Sequence, residues 1–202
     1  MKKIQYMKNY DIDRILLPSL RLFLTYNYET VSTSKLEEET GLTRGAIFFK
    51  FKNKEALFKA VIDKYVLGFQ SESSHIKTDR LDTFIELFIN GVESRMNEMK
   101  SIGINNIHRS YFNLLYQAVQ YYPGFSEKIT EIFDGSMQDW INIVTTAQKL
   151  GEIKQTCDIK QVALQFRYIY SGMAFENSLN LGLNINQLKK AFNSLYKEIV
   201  YE

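Results

Sequence analysis

Ser32–Phe58 reads STSKLEEETGLTRGAIFFKFKNKEALF, and it spells two short helices, a tight turn between them and a third helix with a basic first turn. Ser32 can cap the first helix by accepting from a free backbone N–H in its first turn. Leu36 points inward. Gly41 follows the last helical residues, where a left-handed residue ends a helix without a Cβ clash. Thr43 caps the second helix, in which Ile47 and Phe51 lie four apart on one face and leave Arg44, Phe48, Phe49, Lys50 and Lys52 for other faces. Helices this short are not stable alone, so residues 11–27 before them and 54–69 after them must supply a packing surface. A short turn with Gly (Gly41-Leu42-Thr43) followed by a second helix fits a helix-turn-helix, whose second helix can enter the DNA major groove. Many other helical hairpins share that bare pattern.

The run Thr43–Phe58 is more specific. It closely resembles the hallmark segment of TetR-family transcriptional regulators: a capping Ser or Thr, a Gly, an aliphatic, an aromatic pair, a Phe, then Lys-Glu and Leu-Phe. The resemblance covers about the first 65 residues; beyond them a Leu150-Gly151-Glu152-Ile153 turn is of a kind common in that family. It implies an all-α fold of about nine helices, with a helix-turn-helix DNA-binding domain at 1–53 and a helical ligand-binding and dimerisation domain at 54–202. The implied activity is that of a ligand-responsive repressor, released from a pseudopalindromic operator when a small molecule binds the second domain. Thr43, Arg44, Ala46, Phe48 and Phe49 would then enter the major groove, with Arg44 reading a guanine edge. Lys50 and Lys54, with Ser32, Thr33 and the free N–H groups of the helix starts, would grip phosphates. Three departures from the family pattern stand out. Asn27 replaces the usual Gly, Glu37, Glu38 and Glu39 place negative charge in the first motif helix, and Phe48 replaces the usual Tyr and lacks its hydroxyl.

The chain of 202 residues carries a formal net charge of +2. Residues 1–65 hold twelve Lys and Arg against eight Asp and Glu, leaving thirteen against fifteen for the remainder, so the basic part is the part with the motif. Cys157 is the only cysteine, which excludes an internal disulfide framework and a Cys-rich metal site. His75 and His108 form no metal-ligand set with the carboxylates, so neither metal nor cofactor is expected. No apolar run approaches a membrane span and the first residues lack a signal-peptide pattern, so the expectation is cytoplasmic with no membrane partner.

Helical spacing predicts a first helix from near Asp11 to Asn27, kinked or delayed at Pro18. A long helix from Lys54 carries Leu57, Phe58, Val61, Ile62, Tyr65, Val66 and Phe69 in one stripe. A polar bend over 68–78 precedes helices over 80–99, 102–122 and 125–150, a helix capped by Asp158, and a last helix capped by Asn184 or Asn186. The last two are apolar on more than one face. By family resemblance Phe166, Met173, Leu188, Phe192, Leu195, Tyr196 and Ile199 would meet a second copy in a homodimer. A small, apolar or aromatic effector could lie among Phe88, His108, Tyr111, Phe112, Tyr116, Phe133, Met137, Trp140, Phe166 and Tyr170, where Tyr, Trp and His supply polar handles.

No nucleophile elbow, phosphate loop or dinucleotide fingerprint is present, so no catalytic residue is expected. Ser32-Thr33-Ser34-Lys35 matches a Ser-x-x-Lys pattern, which a helix start explains. The alternative to a regulator is a non-enzymatic helical adaptor using Lys50, Lys52 and Lys54 for protein or membrane contact. Sequence-specific, salt-sensitive binding to duplex DNA separates the two.

Overall fold

Side-chain oxygens set most of the helix starts. Ser32 Oγ accepts from Lys35 N at 3.2 Å, Thr43 Oγ1 from Ala46 N at 3.3 Å and Asn53 Oδ1 from Ala56 N at 2.8 Å. Asp158 Oδ1 accepts from Lys160 N and Gln161 N, and Asn184 Oδ1 from Gln187 N. The computed structural model describes residues 2–68 and 76–201, with side chains from residue 12 onward. Among the described residues it has nine α-helices: α1 Lys2–Thr25, α2 Thr33–Thr40, α3 Arg44–Lys50, α4 Lys54–Ile62, α5 Leu81–Ser101, α6 Ile107–Tyr121, α7 Phe125–Lys149, α8 Ile159–Ser178 and α9 Ile185–Ile199. Phe69, His75 and most of the expected 68–78 bend lie outside the described residues.

Three boundaries differ from expectation: the helix expected from 102 begins at Ile107, after a turn in which Gly103 has φ +89°, and two others lie earlier in the chain. Helix α1 starts at Lys2 and runs through Pro18. Ile15, Leu16, Leu20 and Phe23, on both sides of the proline, are buried in one core, so packing carries the helix past the missing backbone bond. The stripe after Lys54 is not one α-helix: α4 gives way to a π-helical turn over Asp63–Gly68. Leu57, Phe58, Val61, Ile62 and Val66 are nevertheless all buried.

The chain divides into two compact units. The first comprises residues 1–70 and 110–129, the second 71–109 and 130–202, so the division falls within α6 and α7. In the first unit, Phe23 packs edge-on to Phe58 at 4.9 Å, and Val31, Leu36, Ile47 and Leu57 fill the space beneath the motif. Leu114, Ala118, Tyr122, Phe125 and Ile129 join the same core. Gln117 on α6 fastens the approach to α2: its Oε1 accepts from Tyr28 N at 2.6 Å and its Nε2 donates to Phe23 O at 3.3 Å.

The second unit is built around Trp140, which stacks on Phe166 at 5.1 Å and meets Phe84, Phe88 and Phe192 edge-on. Its other anchor is the Leu150–Ile153 turn. Gly151 has φ +75°, a conformation that ends α7 without strain only because no Cβ is present. Behind it, the Glu152 carboxylate accepts from Leu81 N at 2.9 Å, Asp82 N at 3.0 Å and the Tyr196 hydroxyl at 2.9 Å. One side chain thus caps α5 and holds α9, and burial together with its charge pushes the Tyr196 phenol well above the usual tyrosine range. Ile153, fully buried, pairs in an isolated antiparallel bridge with Val200.

Candidate functional site

Leu36 and Ile47, the inward residues of α2 and α3, are both fully buried. Gly41 sits at φ +66° between the helices, and its N–H donates to Glu37 O at 2.9 Å. Their anchoring leaves one face of α3 outward: Arg44, Gly45, Ala46, Phe49 and Lys50 are exposed, as are Ser32 and Thr43 at the helix starts. Phe49 is 86% exposed, which no core role explains. Phe48 is half-buried against the core of the unit. The aromatic pair is therefore divided, one ring holding the helix down and the other presented to solvent. Thr33 is half-buried.

Several side chains expected to reach for phosphate have partners inside the protein. The oxygens of Ser32 and Thr43 hold the caps described above, though caps at helix starts still leave neighbouring N–H groups outward. Lys54 is the clearest correction. Its Nζ donates to Tyr28 O at 2.9 Å and Val31 O at 3.2 Å and lies 4.4 Å over the Tyr28 ring. Burial holds its ammonium below the usual lysine range, partly offset by Glu29. It therefore ties the start of α4 to the turn before α2 and is not a free phosphate clamp.

Glu37 also has a role that its charge alone did not disclose. Its Oε1 accepts from the Arg44 backbone N–H at 2.6 Å, so the carboxylate of α2 satisfies an open donor at the start of α3. Glu38 and Glu39 are exposed.

In the second unit the structure gathers Phe88, Met137, Trp140, Phe166 and Tyr170 into one cluster, and His108 meets Tyr170 edge-on at 6.3 Å. His108 is 7% exposed and its Nδ1 has no hydrogen-bond partner. Burial, reinforced by the Arg95 charge, lowers its pKa to about 4. Phe133 lies on the surface with the Arg167 guanidinium 5.5 Å over its ring. Tyr111, Phe112 and Tyr116 belong to the first unit; Tyr111 packs on that unit's core and Tyr116 is largely exposed.

The expected dimer residues also change place. Phe166, Leu188 and Phe192 are fully buried, and Leu195 and Ile199 nearly so, within the core of a single protomer. Met173 and Tyr196 are half-buried against it. The physical reason is that α9 spaces its apolar residues at 188, 192, 195 and 199, one stripe that is filled by α5, α7 and α8 of its own chain. What α8 and α9 leave outward is a shallow groove of about 650 Å³ lined by Leu164, Tyr168, Ile169, Ala191 and Ser194, among others. Tyr168, Phe175 and Leu179 are exposed along the same helix and just past its end. Spacing in α8 could have pointed to them, since 168, 175 and 179 lie on a face other than that of 162, 166 and 170.

Among the described residues no group of three or more His, Cys, Asp or Glu could hold a metal ion. No helix among them is long and apolar enough to cross a membrane.

Residues 15–61 match the family model described as bacterial regulatory proteins, tetR family. The chain is 37% identical over 65 residues to the HTH-type transcriptional repressor ComR of Escherichia coli (strain K12), a match covering 32% of this chain and 31% of that protein. It thus spans about a third of the length of that curated relative. Over the whole length the likeness is in fold. A TetR transcription regulator from Haloarcula marismortui superposes with TM-score 0.72 at 14% identity, covering 96% of this chain and 100% of that one. The SmeT–triclosan complex superposes with TM-score 0.63 at 17% identity, covering 96% and 93%. The motif and the family model agree: residues 15–61 match the tetR family of bacterial regulatory proteins, and the chain as a whole shares the fold of a TetR transcription regulator.

Proposed function

We propose that the protein is a ligand-responsive, sequence-specific repressor that binds a pseudopalindromic DNA operator as a homodimer. The observation that carries this reading is the outward face of α3, where Arg44, Ala46, Phe49 and Lys50 stand exposed on a helix whose other side is locked into the core. Arg44 is the residue suited to guanine O6 and N7, and Phe49 to a thymine methyl. The N–H groups at the starts of α2 and α3, with Lys50, would meet phosphates. In functional terms residues 1–53 are the reading head and 54–202 the part that senses and dimerises.

The second copy would sit on the groove outside α8 and α9, against Tyr168, Phe175 and Leu179. Two-fold symmetry then presents two α3 helices to half-sites about 34 Å apart or a multiple of it. A small molecule entering the second unit would change the separation of the two α3 helices. Helices α6 and α7, each contributing residues to both units, are covalent routes for that coupling. A coupling of roughly 1 to 3 kcal/mol changes affinity about 5- to 150-fold, enough for release. SmeT, a protein of similar fold, forms a complex with triclosan, which agrees with an effector of apolar or aromatic character.

The test is selection of duplexes from a random DNA pool by the purified protein at two salt concentrations. Enrichment of one palindrome is the expected result. Salt-sensitive binding without enrichment would reduce the motif to a basic patch, and no binding would return the chain to the adaptor reading.

A further inference from the structure

The aromatic cluster of the second unit has a polar corner that its packing leaves unsatisfied. His108 is buried with Nδ1 unpartnered, and the Tyr170 ring stands beside it and 5.1 Å from Phe88. A buried polar atom without a partner is costly, so one left in place calls for an explanation such as a bound group. Arg95 supplies the third member. It lies seven residues after Phe88 and three after Val92 on α5, which sets it on the same helix face as both. It is half-buried, and its guanidinium makes no ion pair among the described residues. Its positive charge is felt at both His108 and Tyr170.

A guanidinium, a phenol O–H and a neutral imidazole that can carry its proton on Nδ1 are all donors. A cation is repelled by Arg95. An alcohol can satisfy His108 and Tyr170 but leaves the Arg95 charge without a counter-ion, whereas a carboxylate answers all three with charge-assisted bonds. Beside this corner, Phe88 and Met137 are half-buried members of the cluster around Trp140, and an unbranched methionine can shift to admit an apolar body.

We infer that the second unit binds a carboxylate carrying an apolar body, its head held by Arg95, His108 and Tyr170 and its body set among Phe88, Met137 and Trp140. The inference names the effector class within the function proposed above and rests on that reading. Trp140 is the only tryptophan, so its emission reports on the cluster directly.

The experiment titrates the full chain, without DNA, with dodecanoate and 4-phenylbutyrate, each against its matching alcohol. Saturable change in Trp140 emission is expected with at least one acid, with the alcohol roughly tenfold weaker or more, as for loss of a charge-assisted partner. Arg95→Gln should erase that preference and Arg95→Lys should retain much of it, with circular dichroism showing both variants folded. Equal binding of acid and alcohol would overturn the inference, as would no saturable response to either acid or an unchanged preference in Arg95→Gln. Because no DNA is in the cuvette, a protein that selects a palindrome yet fails here loses only this inference. One that binds the acids but selects no DNA loses only the repressor reading.

Discussion

The α2–α3 pair and the α8–α9 pair are both adjacent helices with side-chain caps, yet their surfaces diverge in opposite senses from what their composition suggests. In α2–α3 the polar side chains Ser32, Thr43, Glu37 and, just beyond, Lys54 are engaged in holding the backbone, while an aromatic ring, Phe49, stands in solvent. In α8–α9 the apolar side chains Phe166, Leu188 and Phe192 fill the protomer core, and a groove edged by Tyr168 with polar neighbours faces outward. Internal needs are met first in both regions: open N–H groups and apolar area are satisfied within the chain before anything is left for a partner.

The largest effect that would break this contrast is at Phe192. Phe192→Asp places a carboxylate in a filled core and should remove about 3 to 5 kcal/mol or more of stability, seen as a lowered thermal midpoint and aggregation in sedimentation. Tyr168→Glu should instead yield a folded monomer with a nearly unchanged midpoint. A folded monomer from Phe192→Asp, and a dimer from Tyr168→Glu, would restore the interface expected from composition.

Next in size is the response to acid. His108 has a folded pKa of about 4, below its value near 6.5 in an unfolded chain, so the unfolded state binds the proton first. The neutral buried imidazole therefore contributes stability that is present above about pH 6.5 and lost as pH falls toward 4, about 3 kcal/mol in all. Urea unfolding at pH 7 and pH 4.5 measures the difference, and His108→Gln should flatten it. An equal pH dependence in that variant would mean that other groups carry it.

Lys54 sharpens the comparison further. Lys54→Met should remove roughly 1.5 to 3 kcal/mol by leaving the Tyr28 and Val31 carbonyls without their charged donor. The salt slope of DNA binding, measured on folded protein, should not change. A slope shallower by about one unit would return Lys54 to the phosphates.

The smallest stability effect is at Arg44, where the change should be confined to binding. Arg44→Ala should change stability by no more than about 0.5 kcal/mol, seen as a nearly unchanged thermal midpoint. It should cost about 1 to 3 kcal/mol on the selected site and less on random duplex. Equal losses on both would make it a phosphate contact.

These contrasts also show what could be read from residues alone. The caps at Ser32, Thr43, Asp158 and Asn184, the Gly41 turn and the helix order were legible because each depends on residues within four positions of one another. Lys54 to Val31 and Glu152 to Leu81 were not, because a side chain reaching a backbone group 23 or 71 residues away leaves no local period. Helix α1 over 2–10 was missed for want of an apolar stripe there, and the π-helical turn after α4 because the burial pattern continues through it. Phe166 and Phe192 were misassigned for a different reason. Their spacing states that a face is buried, and nothing in it says whether the cover comes from the same chain or another.

The interleaving of the two units sets an order in time. Everything in the first unit has left the ribosome once residue 129 is clear, whereas α5, which precedes it in the chain, must wait for α9 to supply Leu188, Phe192 and Leu195. At about 5 to 20 residues per second, the apolar stripe from Leu81 to Val92 lacks its cover from α9 for roughly 5 to 20 s after its own synthesis. The first unit is thus expected to be finished while α5 of the second is still the segment most in need of a chaperone.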